Sequence, residues 1–300
     1  CGYEQSSDWN YTVAKEIGSL IDYISAHHYS VGWGPFERDD YMGNLYIPEY
    51  MNLLTDLTLS AVNTGLNNVT DHIQVAWDEW NLFGWAVDGV NEDSSYTMQN
   101  ALVTALILNF FIKNCDRIGM ANYSTFVNIN GAVSTHGDQL VRRPQFYVFD
   151  LLSNNTGERA VETYAEGEML DVRVSQSEKL NRPKLGIDLT HPEEEKEERW
   201  VKVPAVDCAA TVSADGTMYL SLVNKHPEED ITVDIEVNGW GDIEAVKCSR
   251  IYHEDLAASN TLEHPEEVNI QEAARPEISG TCLKMTLKKH SVNLVQLKKK

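Results

Sequence analysis

Strand-like and helix-like runs alternate from the first residue to about residue 150, and this rhythm limits what the chain can become more than any other feature. Asp8 stands where its side chain can accept from the free N–H groups of a first helical turn, which predicts a helix to about residue 19. Ile21 to Ala26 reads as a short buried strand. Pro48 to Gly65 predicts a second helix, because proline suits a first turn where the N–H it lacks would be unpaired anyway. Leu53, Leu54, Leu57 and Ala61 recur at helical spacing on one face of it. His72 to Trp77 is a strand whose Ile73 and Val75 lead into Asp78-Glu79-Trp80. Asn100 to Lys113 is a helix apolar almost all round, and therefore buried. Ile118 to Ala121 and Phe126 to Ile129 form a further strand region. Alternation of this kind implies a parallel α/β architecture. Three strand–helix units are visible, less than half of an eight-stranded barrel.

The pattern changes after Leu152. Asn154-Asn155-Thr156-Gly157 is a turn cluster. Lys184 to Arg199 reads as a solvated loop around the charged run Pro192 to Glu198. Met218 to Val223, Ile231 to Val237, Leu283 to Leu287 and Val292 to Leu297 are short alternating strands between Gly, Pro, Asp and Asn clusters. Lys298-Lys299-Lys300 reads as a frayed tail. The expected organisation is an α/β portion over residues 1–152 and an antiparallel β-sandwich over 153–300.

Charge removes several function classes. The chain carries 46 acidic and 24 basic residues, a formal net charge of -22. It repels nucleic acid and anionic lipid surfaces and suits neutral or cationic partners. No apolar run is long enough to span a membrane. Five widely scattered cysteines show no metal-site or redox spacing. They fit free thiols of a reduced compartment better than a disulfide framework, which favours the cytoplasm over export. The chain opens Cys1-Gly2-Tyr3, without initiator Met or signal pattern, in what reads as a strand-to-loop transition. The expectation is that an upstream segment has been lost, so the missing signal does not decide export.

In a parallel α/β barrel, chemistry sits at the C-terminal ends of strands. Two groups of residues occupy that place: Ser25-Ala26-His27-His28-Tyr29 and Ala76-Trp77-Asp78-Glu79-Trp80-Asn81. Glu79 lies between Trp77 and Trp80, beside aromatic surface that can pack on sugar C–H patches. An ionised carboxylate there can attack an anomeric carbon, provided a second carboxyl group stands about 5 Å away. The plainer reading is that Asp78 and Glu79 are an exposed acidic pair. His27 and Tyr29 alternate, so both can face one side and bond a sugar hydroxyl or the carboxylate. Otherwise they are a satisfied core histidine and a packed tyrosine. His27 and His28 point to opposite faces, which argues against a metal site, and no Gly-rich phosphate loop follows a strand.

These groups resemble glycoside hydrolase family 51, the α-L-arabinofuranosidases. Asp22-Tyr23-Ile24-Ser25 and His27-His28-Tyr29 match one of its patterns, and Asp78-Glu79-Trp80-Asn81 matches its nucleophile motif. Asn100-Ala101-Leu102 through Asp116-Arg117-Ile118, then Met120-Ala121-Asn122 and Val127-Asn128, resemble the helix and last barrel strand that follow. Val223-Asn224 and Ser259-Asn260-Thr261, with Pro265 and Val268, resemble the C-terminal β-domain. The resemblance implies a (β/α)8 TIM barrel, here incomplete, followed by a β-sandwich. It implies retaining hydrolysis of terminal α-L-arabinofuranosides of arabinoxylan and arabinan, without a cofactor, by a parent enzyme that can form a homo-hexamer. By motif, Glu79 is the nucleophile. His27, Tyr29, Trp80, Phe83 and Thr125 are substrate contacts, Thr125 standing where the family tends to have Gln. The family's acid/base glutamate belongs to a barrel strand ahead of Cys1. The first domain is therefore expected to fold poorly alone, and the isolated chain to be nearly inactive. The alternatives are a carbohydrate-binding remnant without chemistry, and an endoglucanase on the same fold.

Overall fold

A computed structural model describes residues 1–4, 6–67, 72–176 and 197–300. Their contacts form two compact units that interleave along the chain. One holds Cys1–Val90, Asn114–Thr125 and Asp171–Val201; the other holds Asn91–Lys113, Phe126–Leu170 and Lys202–Lys300.

The first unit opens with helix α1 (Ser7–Ile17), whose N-cap is Ser6: its hydroxyl accepts from the Trp9 N–H. The cap expected at Asp8 is thus two residues early. Asp8 lies in the first turn, where a negative charge still suits the helix dipole. Strand β1 (Tyr23–Val31), a single turn α2 (Tyr41–Asn44) and helix α3 (Ile47–Gly65) follow, with Pro48 in the first turn of α3. The buried face of α3 runs through Tyr50, Met51, Leu54, Thr58 and Ala61, while Leu53 and Leu57 are both 38% exposed. The expected stripe was therefore half right: Leu54 and Ala61 belong to it, and its other members are turned about one residue away.

Strands β2 (Gln74–Phe83) and β3 (Ile118–Tyr123) complete a three-stranded sheet of order β1-β2-β3, parallel throughout. Parallel pairing is what the strand–helix alternation calls for. β2 runs six residues beyond the expected end at Trp77, because neighbours flank its polar stretch. Tyr29 pairs Asn81 on one side and Tyr123 pairs Trp80 on the other.

Under this sheet lies a buried histidine. His28 is 3% exposed, with Phe36, Tyr50 and Trp77 rings around it at centroid distances of 6.5, 5.2 and 6.5 Å. Burial pushes its pKa down to about 3, because an imidazolium there would lose its hydration.

In the second unit, helix α4 (Met98–Lys113) is buried almost all round, as its composition requires. A hairpin β4 (Val133–His136) and β5 (Gln139–Arg142) and helix α5 (Pro144–Ser153) were not foreseen. Phe126–Ile129 is not a strand: Asn128 and Ile129 have φ of 57° and 38°, which bends the chain toward the hairpin. Beyond β6 (Arg159–Val161), strands β7 (Met169–Gln176) and β8 (Glu197–Pro204), most of whose residues belong to the first unit, pair with each other. Of the charged run, Pro192 to Lys196 lies outside the described residues, and Glu197 and Glu198 open β8.

The remaining strands are β9 (Val206–Val212), β10 (Met218–Asn224), β11 (Ile231–Glu236), β12 (Ile243–Ile251), β13 (Ile270–Glu272), β14 (Glu277–Ser279), β15 (Cys282–Leu287) and β16 (Ser291–Lys299). They build a six-stranded sheet of order β13-β12-β16-β10-β9-β6 and a three-stranded sheet of order β11-β15-β14, both antiparallel. Leu220, Leu222, Val295 and Leu297 of the larger sheet share one core with Leu283, Met285 and Leu287 of the smaller. This is the sandwich expected from the alternating segments. The terminal lysines are not frayed: Lys298 and Lys299 pair Glu244 and Ile243 in β12, and the Lys300 N–H donates to the Asp242 carbonyl. All five cysteines are free thiols.

One charge is fully withdrawn from water in this unit. Arg143 Nε donates to Asp93 Oδ1 at 2.8 Å, and its Nη1 donates to the Ile129 and Gly131 carbonyls at 2.9 and 2.8 Å. The guanidinium lies 3.9 Å from the Tyr96 ring centroid. Burial alone would raise the Asp93 pKa, but hydrogen bonds from Ser134, Arg143 and His136 together bring it below the usual value.

Two predictions follow from these buried groups. Since the folded-state pKa of His28 lies below its ordinary 6.5, its contribution is complete above that pH and is lost as pH falls toward 3. Denaturant titrations should show a slope near 1.4 kcal/mol per pH unit below about pH 6, which His28→Phe removes; equal acid sensitivity in both proteins would refute it. Asp93→Ala leaves the Arg143 guanidinium buried without its counter-charge, and should cost about 3–5 kcal/mol in unfolding free energy. A cost below 1 kcal/mol, on the order of an exposed pair, would contradict that.

Candidate active site

The sheet of the first unit brings the expected residues together through its register. His27 on β1 stands beside Glu79 on β2, after an irregularity between Ser25 and His27 that shifts the pairing by one residue. Such an offset re-aims the side chains that follow it. His27 and Tyr29 therefore both face the Glu79 carboxylate, from the middle and later part of two parallel strands.

The Tyr29 hydroxyl lies 2.9 Å from Glu79 Oε2 and 2.8 Å from Ser124 Oγ. A phenol has one proton, and an ionised carboxylate can only accept. Tyr29 thus donates to Glu79, and Ser124 donates to Tyr29. Ser124 is fixed in turn by its backbone: its N–H donates to the Trp80 carbonyl at 3.1 Å, and the Asn81 amide donates to its carbonyl at 2.9 Å. Burial first, and then the neighbouring carboxylate, push the Tyr29 pKa up to about 12, so the phenol keeps its proton around neutral pH.

The His27 ring spans the two carboxylates. Its Nε2 is 3.2 Å from Asp78 Oδ1 and its Nδ1 is 3.7 Å from Glu79 Oε2. The Ser25 hydroxyl donates to the same Asp78 oxygen at 2.8 Å. The side chains of His27, Asp78 and Glu79 are 45%, 39% and 41% exposed, so the cluster opens to solvent while its members stay hydrogen-bonded. Below it, Glu4 is 6% exposed and accepts the His27 backbone N–H at 3.0 Å. Burial raises the Glu4 pKa, with backbone hydrogen bonds acting against it.

Not every expected contact lies at this surface. Trp80 and Phe83 are each 1% exposed. Trp80 points to the opposite face of β2 from Glu79, with its ring 5.0 Å from Tyr123. Phe83 is capped by the Arg38 guanidinium at 5.1 Å. Neither side chain offers a face to a ligand. Thr125 is exposed, and a cis peptide bond joins it to Ser124. The neighbouring Ser124 reaches the site, a role the sequence reading assigned to Thr125. Ser25, Ser124 and Glu4 were all missed. Ser25 stood within a quoted motif, Ser124 was passed over for its neighbour, and a lone Glu before a helix carried no signal.

What the cluster can do is bounded by its groups. A carboxylate steadied by one phenol, beside an imidazole and a second carboxylate, can attack an electrophilic carbon or take up a proton. Among the described residues, the one group of three side chains close enough to share a metal ion is Glu168, His226 and Glu229, in the other unit. There His226 Nδ1 accepts the Glu228 and Glu229 backbone N–H groups at 3.2 and 2.9 Å. That nitrogen is thus already engaged by the backbone.

Comparison with known proteins places the chain in a family. Residues 78–291 match the model described as "Alpha-L-arabinofuranosidase C-terminal domain". A probable alpha-L-arabinofuranosidase C of Aspergillus niger is 24% identical over 99% of the chain and 56% of its own length. An intracellular exo-alpha-(1->5)-L-arabinofuranosidase of Streptomyces lividans is 25% identical over 88% of the chain and 38% of its own length. The solved structure of a thermostable GH51 alpha-L-arabinofuranosidase from Thermotoga petrophila RKU-1 superposes with a TM-score of 0.75 and 26% identity, over 98% of the chain and 56% of that protein. The chain thus spans about half the length, or less, of the relatives it matches. With the match covering most of its residues and running through both the Glu79 strand and the sandwich, the chain belongs to the α-L-arabinofuranosidase C-terminal domain family.

Proposed function

We propose that this chain carries the nucleophile of a retaining α-L-arabinofuranosidase, with Glu79 attacking the anomeric carbon of a terminal α-L-arabinofuranoside in arabinoxylan or arabinan oligosaccharides. The observation that carries the reading is the hydrogen bond from the Tyr29 hydroxyl to Glu79 Oε2, 2.9 Å long. It holds one carboxylate oxygen and orients the other. His27 orients the carboxylate from the side, and Asp78 with Ser25 fixes the ring of His27. Attack would give a glycosyl ester on Glu79, which water then cleaves.

The reaction also needs a second carboxyl group, as general acid and then base; the motif correspondence assigns that role to none of these 300 residues. We read the three parallel strands as part of a (β/α)8 barrel, with residues 1–152 as its contribution and 153–300 as the sandwich domain. An intracellular location fits the five free thiols and the Streptomyces relative, an intracellular enzyme by name. A net charge of -22 fits a neutral glycan partner.

In a protein that carries this chain together with the second carboxyl group, treatment with a cyclophellitol-type arabinofuranose reagent, followed by peptide mass spectrometry, should find the label on Glu79. Glu79→Ala should lose labelling and arabinofuranoside hydrolysis by several orders of magnitude. A label on any other side chain would end the assignment. Tyr29→Phe removes a hydrogen bond to a charged group, worth about 1.5–3 kcal/mol, and should slow labelling roughly 10- to 100-fold. An unchanged labelling rate would show that the bond does not bear on the reaction.

A further inference from the structure

Beyond the end of the sheet, two tryptophans stand half out of the protein. Trp33 and Trp85 are 50% and 49% exposed, with ring centroids 4.5 Å apart and planes inclined by 55°. Each follows the C-terminal end of a parallel strand, Trp33 after β1 and Trp85 after β2. Both reach the site already described: the Tyr29 ring lies 6.1 Å from Trp33 and meets Trp85 edge-on at 5.3 Å. The aromatic surface is thus continuous with the phenol that holds Glu79.

The pair is held in place by the backbone. The Gly84 N–H donates to the Val31 carbonyl at 3.1 Å, which binds the two loops together. A Cβ at Gly84 would lie 2.7 Å from Trp33 Cδ1 and 2.9 Å from its Nε1, so the indole rests directly on the glycine. Gly32, with φ of +90°, supplies the left-handed turn that sends the chain from β1 into that position. Next to the indole opens a cavity of about 560 Å³, lined by Trp33, Phe36, Glu37, Arg38, Val87 and Asp88. The Arg38 guanidinium donates to the Asp88 carbonyl and covers Phe83, which fixes the polar wall.

We propose that Trp33 and Trp85, with the cavity beside them, form a binding subsite for a second sugar ring, the one linked to the ring on which Glu79 acts. The inference rests on the glycosidase reading of Glu79. A half-exposed indole can take the positively polarised C–H edges of a sugar ring, and the cavity beside it offers both apolar wall and fixed polar groups to sugar hydroxyls. One guanidinium against two carboxylates in the wall suits a neutral sugar rather than a uronic acid. The backbone bond between the two loops sets the two indoles side by side before a ligand arrives, which lowers the ordering cost of binding.

The test compares two probes on the protein, L-arabinose and an α-1,5-linked arabinotriose, by calorimetry or tryptophan fluorescence. Wild type should prefer the trisaccharide. In Trp33→Ala and Trp85→Ala the ratio of trisaccharide to monosaccharide affinity should fall at least about tenfold. Gly84→Ala, which displaces the Trp33 indole without removing it, should lower the same ratio. Trp33→Phe should restore part of it, which separates stacking from a folding defect. A wild-type protein with no preference for the trisaccharide, or alanine variants with an unchanged ratio, would overturn the subsite. Labelling of wild-type Glu79 is scored separately, so loss of the nucleophile assignment and loss of the subsite give different results.

Discussion

The pairing of β1 with β2 is the interaction on which the rest depends. Parallel strands have evenly spaced bonds and no turn to set their register, so alignment is decided by what the two strands bury. Ile24 beside Val75 and Val31 beside Phe83 are apolar and withdrawn from water. Between those anchors the shift near Ala26 sets His27 against Glu79. A slip of one residue would send Tyr29 to the opposite face. The carboxylate, the imidazole and the phenol are therefore placed by hydrophobic contacts at either end of the strands that touch none of them.

Much of this was legible before any coordinates. The Asp78-Glu79-Trp80-Asn81 motif was expected just past a strand end and lies within the strand, His27 and Tyr29 were expected to face the same way, and His28 the opposite way. Period-two spacing is enough for that. It was not enough for Trp80 and Phe83, whose side chains were expected at a ligand and lie inside the unit instead. An aromatic next to a functional residue packs wherever apolar surface is nearest, and the motif does not say which side that is. Ser124 shows the opposite limit. Its hydroxyl matters only because Asn81 holds its carbonyl, a contact between residues 43 positions apart that no local pattern encodes.

Helix boundaries failed in small, explicable ways. Ser6 and Asp8 are both good N-caps, and the choice between them was made by where the chain enters the helix. The Phe126–Ile129 segment has the composition of a strand, but Arg143 collects the Ile129 and Gly131 carbonyls. A buried guanidinium with five donors imposes a curved backbone on whatever sequence must satisfy it. The sandwich was easier, because each of its strands repeats apolar and polar residues at a spacing that only one secondary structure can use.

The place of β16 in its sheet bears on how the protein is made. It lies between β12 and β10, yet every other strand of that sheet precedes it in the chain. During synthesis the two halves, β13-β12 and β10-β9-β6, must wait with bare edges for a filler strand that the ribosome delivers last. Such edges are sticky, and closing them joins distant parts of the polypeptide. Until β16 pairs with both, those edges are open to whatever extended segment meets them first.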